Sequence, residues 1–96
     1  MTMREPRPQQ RPTSTVVSFY GRPHRINLDA IERRFLRHVV EGRYSDKAGF
    51  AKEIGLSRST LSRFLRGRQT SLKIVLRVLR ALELKFDDVA TPLDGD

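Results

Sequence analysis

The chain has 96 residues, and 19 Lys and Arg against 11 Asp and Glu leave it at +8 near neutral pH. That length holds one small core and no separate catalytic domain, and the absence of cysteine excludes disulfide staples, thiolate zinc sites and thiol nucleophiles. Apolar runs of two or three residues span no membrane and resemble no signal peptide, so a cytoplasmic protein is expected, and the basic balance points to nucleic acid ahead of an anionic membrane surface.

Residues 1–14 place Pro6, Pro8 and Pro12 among Arg4, Arg7 and Arg11, with Met1 and Met3 the only apolar side chains. A segment that buries so little apolar area is expected to be a disordered basic arm. Residues 15–20 (TVVSFY) are β-branched and aromatic, and a second short run, 24–26, follows Gly21-Arg22-Pro23. Over 15–26 the pattern fits a β-hairpin, with Gly21 first in a type II′ turn, and equally a single extended segment. Two strands alone are marginal in water, so a hairpin here must dock on the helices or pair with another copy of itself.

From Asn27 the period becomes helical. Asn27 caps a helix to residues 40–41, with Gly42 as its stop. At about 100° per residue, Leu28, Ile31, Phe35 and Val39 share one face, and Arg33, Arg34, Arg37 and Glu41 the other. Asp46 caps a short helix to Ile54, ended by Gly55; Ser57 caps residues 58–66, ended by Gly67. Thr70 or Ser71 caps a fourth helix from Leu72 to about Glu83, a last turn covers 86–89, and residues 94–96 are a tail. The wide apolar arc of the fourth helix reads as core; its exposed remainder, with Leu84, Phe86, Val89 and Leu93, would form a dimer seam. The expected fold is therefore all-α, a five-helix domain over 27–93.

The most basic sector is 45–71, at +4. Its two helices need a small residue where they cross and a glycine where the chain reverses, which Ala51 and Gly55 supply. With Arg58 set at 0°, Leu61, Phe64 and Leu65 fall between about 240° and 340°, and Ser62, Arg66, Ser59 and Arg63 between about 40° and 140°. One face is apolar; the other carries hydroxyls and guanidinium groups and no acid. A major-groove helix needs such a face, because Arg bonds guanine O6 and N7 together and no carboxylate is left to repel phosphate.

Phe50-Ala51, Gly55-Leu56-Ser57, Thr60-Leu61-Ser62 and Gly67 make this stretch resemble the helix-turn-helix of the lambda repressor/Cro superfamily, the Cro/CI or XRE type. The resemblance runs from about residue 27 to 93 and implies a five-helix domain that binds double-stranded DNA as a homodimer. It implies base-edge contacts from Arg58, Ser59 and Arg63, with Ser62 nearby. It also implies phosphate contacts from Lys47, Thr60, Arg66, Arg68, Thr70 and Ser71. Two departures stand out: Lys47 replaces the common Gln, so it repels Arg58 instead of orienting it, and Gly49 lies inside a short helix.

An enzyme is not expected. His24 and His38 lack metal-ligand spacing, Asp87 and Asp88 sit at a helix start, and there is no Gly-rich phosphate loop; no cofactor or metal is implied. The expected function is a sequence-specific, nucleoid-associated transcriptional regulator, a repressor by operator occupancy. The alternative is an antitoxin-like or adaptor protein whose main partner is another protein, with DNA binding for autoregulation.

Overall fold

Short polar side chains open each of the four longer helices by accepting a hydrogen bond from an otherwise unpaired N–H of the first turn. In a computed structural model, which describes residues 13–68 and 71–93, Asn27 caps α1 (Leu28–Val40), Asp46 caps α2 (Lys47–Glu53), Ser57 caps α3 (Arg58–Leu65) and Ser71 caps α4 (Leu72–Ala81). The expected arm as far as residue 12, Thr70 and the 94–96 tail lie outside the described residues. Each helix closes the same way: the residue after the cap takes a left-handed backbone, and the next N–H reaches back to the carbonyl three positions before the cap. Gly42, Gly55 and Gly67 fill that place in α1 to α3, and Glu83, at φ 59°, fills it in α4. The fourth helix consequently stops at Ala81, before the expected Glu83.

The all-α expectation is corrected by a three-stranded antiparallel sheet. β1 (Ser14–Phe19) pairs with β2 (Arg22–Asn27), and β2 pairs with β3 (Ala90–Pro92), which follows the single-turn helix α5 (Phe86–Val89). The tail of the domain thus returns to the hairpin and supplies the third strand that two strands need for stability. The turn is also corrected. Phe19 faces Arg22, so Tyr20 and Gly21 are the two loop residues, with φ of 54° and 78°. Positive φ at both makes a type I′ turn, whose twist matches the strands, with Gly21 second instead of first.

Sheet and helices share one core. Val17 and Ile26, at 5% and 0% exposure, pack with Leu28, Ile31, Phe35 and the central α4 residues Val75, Val78 and Leu79. His38, not the half-buried Val39, completes the buried face of α1. Its Nδ1 has no hydrogen-bond partner, and burial, aided by the Arg43 charge, holds its pKa below the ordinary histidine value. Val89 is core, and Leu84 and Phe86 are half-buried, with Phe86 stacked on Phe19 at 4.5 Å. Of the residues expected at a dimer seam, Leu93 remains exposed, as does Leu76 on α4.

Candidate nucleic-acid interface

Packing from behind fixes the position of α3. Leu61 and Phe64 are buried on its inner side, and Ala51 is buried in α2, as the crossing of the two helices requires. Between them Gly55, at φ 76°, reverses the chain, and the Leu56 N–H donates to the Ala51 carbonyl at 2.9 Å. From α4, Arg77 Nη1 donates to the Gly55 carbonyl at 3.4 Å, tying the turn to the central helix. The Gly49 inside α2 has a local reason: a Cβ there would stand 3.3 Å from the Asp46 carboxylate that caps the same helix.

The outward side of α3 carries Arg58, Ser59, Arg63 and Arg66, all exposed, and Ser62, half-buried. Among the described residues these five arginine and serine side chains form no ion pair with a carboxylate, and the helix itself contains none. Ser57 donates its hydroxyl to Thr60 Oγ1 at 2.8 Å while accepting from the Thr60 N–H at 3.0 Å, so the Thr60 hydroxyl is part of the cap. Ser71 Oγ accepts from the Ile74 N–H, which leaves its own hydrogen free to donate; Arg68 is exposed on the far side of residues 69–70.

Arg58, Ser62 and Arg66 line one groove of about 340 Å³ with Lys47 from the head of α2 and Glu32 from α1, floored by Leu61 and Leu65. Ser59 and Arg63 lie on the open flank outside it. Lys47 and Arg58 also border a second groove, of about 460 Å³, walled by Phe35, Leu36 and Val39 of α1 and by Ala48.

Glu32 is the residue that sequence reasoning did not find. Its Oε2 lies 2.9 Å from Lys47 Nζ, with the carboxylate side chain only 14% exposed and the lysine 45%. This carboxylate offsets the repulsion expected between Lys47 and Arg58. A signal was present: on the helical wheel Glu32 falls within about 20° of Val39, at the border of the apolar face, where an acid needs a partner. The second acid bordering the site, Asp46, is held as the cap of α2.

The described residues contain no cluster of His, Asp and Glu able to hold a metal ion and no helix long and apolar enough to cross a membrane. What the arrangement offers is a convex helix, cationic on its outer side, with further cations at the head of α2 and in the segment after α3. A comparison with protein families matches residues 46–89 to the Helix-turn-helix family. No curated protein and no solved structure matches the chain.

Proposed function

Because this chain carries a helix-turn-helix of the Cro/CI (XRE) type over residues 46–89, a fold of DNA-binding transcription regulators, we propose that it is a sequence-specific repressor acting as a homodimer on double-stranded DNA. In this reading α3 enters the major groove. Arg58, Ser59, Ser62 and Arg63 face base edges, and Lys47, Thr60, Arg66, Arg68, Thr70 and Ser71 face the flanking phosphates. Two copies set two half-sites about one turn of DNA apart, roughly 34–36 Å. Occupying an operator is the simplest way for such a domain to regulate, and in this reading it acts on the cytoplasmic nucleoid.

The observation that carries the reading is the unpaired cationic flank of α3 held outward by a fully buried Leu61 and Phe64. Selection from a random duplex pool, followed by titration at two salt concentrations, tests it. The phosphate-facing cations Lys47, Arg66 and Arg68 number three per copy, so a dimer should give a slope of log affinity on log salt near −5. Arg63→Ala should relax sequence preference, whereas Lys47→Ala should weaken all duplexes alike. Equal affinity for selected and random duplexes would overturn the reading.

A further inference from the structure

The two edges of the sheet differ in character. β3 has three residues, and its Pro92 faces His24. His24 turns its hydrogen-bonding groups toward β1, so the outer edge of β3 meets a partner with a proline that lacks an N–H. β1 has six residues and none of the usual protection: no proline, no charged side chain and no bulge. Across the two-residue turn Phe19 and Arg22 form a hydrogen-bonded pair, and alternation then directs Val17 and Thr15 toward β2. The N–H and C=O groups of Ser14, Val16 and Ser18 are left on the outer edge, where no backbone group of the described residues reaches them. Val16 is 51% exposed on the face turned away from the core.

We propose that β1 is the seam of the homodimer, pairing antiparallel with β1 of a second copy about a two-fold axis through Val16. This register sets Val16 against Val16 and Ser14 against Ser18, joins the two sheets into one, and adds about six backbone hydrogen bonds. A second copy fits because the strand is self-complementary. It opposes no like charges, and its exposed valines become direct cross-strand neighbours on the axis. The chain's own first twelve residues are poorly suited to this edge, since Pro6, Pro8 and Pro12 cannot donate to a ladder. The proposal deepens the dimeric reading above and rests on it for the requirement of a second copy. Each copy carries +8, so pairing should strengthen with added salt while DNA binding weakens, opposite responses that keep the two claims separable.

Because the 96 residues include no cysteine, Val16→Cys supplies a single thiol. At the axis of a hydrogen-bonded pair the two Cα atoms are about 5.5 Å apart, within disulfide reach. On mild oxidation Val16→Cys should form a covalent dimer at least tenfold faster than Lys73→Cys, at an exposed position of α4. Ser18→Cys should cross-link to Ser14→Cys and not to itself. Sedimentation of the parent should show more dimer at 500 mM than at 50 mM salt, and Val16→Lys should abolish it while melting as the parent does at concentrations low enough for both to be monomeric. A parent that stays monomeric at high salt and several hundred micromolar overturns the proposal, as does a dimer that survives Val16→Lys or equal cross-linking at positions 16 and 73. Binding of a duplex with one half-site reports on the DNA reading alone: its loss in parent and Val16→Lys together would sink that reading and leave the cross-linking result standing.

Discussion

Glu32→Gln changes one charge in the groove beside α3 and leaves its shape intact. In the parent, Lys47 Nζ lies 2.9 Å from the Glu32 carboxylate, so a DNA phosphate must compete with that carboxylate for the ammonium. A pair with one partner nearly half exposed is worth no more than about 1 kcal/mol, so the variant should fold with little loss of stability. Freeing the lysine returns an amount of that order to the complex, or up to about fivefold tighter binding per half-site. A lysine no longer shared with Glu32 also steepens the dependence of log affinity on log salt, by less than the roughly 0.9 of a wholly new phosphate contact. Fluorescence anisotropy with a single half-site duplex between 50 and 200 mM salt measures both quantities. In a Lys47→Ala background the gain should shrink, because the cation that Glu32 restrains is gone. Unchanged affinity and slope, or weaker binding, would refute the placement of Lys47 and its groove at the DNA surface.

Phe64→Ala removes a side chain with no exposed surface from behind α3 and should cost about 3–5 kcal/mol in urea unfolding; a loss below 1 kcal/mol would contradict the anchoring role. Glu83→Gly relieves a left-handed backbone at φ 59° and gives up only an exposed contact with Arg43, 3.4 Å away. It should raise stability by up to about 1 kcal/mol, and destabilisation would show that the Arg43 contact matters more than the backbone. His38 has a folded pKa below its unfolded value, so the unfolded chain binds the extra proton. Its contribution is complete above the unfolded pKa and is lost as pH falls from there toward the folded value, by up to about 1.4 kcal/mol per pH unit. His38→Leu should flatten that part of the stability profile, and an unaltered profile would exclude His38 as its source.

Features set by neighbours in sequence were legible. The caps Asn27, Asp46 and Ser57, the fourth cap to within Thr70 or Ser71, and the three glycine stops are signals contained within one turn of chain, and the wheel of α3 separated Leu61 and Phe64 from Arg63 and Ser59. Features set by distant partners were not. β3 is three residues ending in a proline, and it becomes a strand only because the edge of β2, more than sixty positions away, is there to pair with it. The end of α4 was hidden because Glu83, not a glycine, takes the left-handed position, with Arg34 Nη1 donating to the Leu82 and Glu83 carbonyls from across the core. The wheel placed Arg34 on the solvent side, since it says which way a side chain leaves its helix and not what stands opposite. Glu32 was missed for the same reason: its partner comes from another helix.

Replacing guanines one at a time by 7-deazaguanine in the selected duplex tests most directly whether α3 reads bases. The substitution deletes the N7 acceptor and keeps O6, so it removes half of a two-point arginine contact. The parent should lose about tenfold in affinity at one or two guanines per half-site, and Arg63→Ala or Arg58→Ala, already weakened, should be indifferent at the guanine its own arginine meets. A parent indifferent at every guanine, or arginine variants that lose as much as the parent at each of them, would contradict the account.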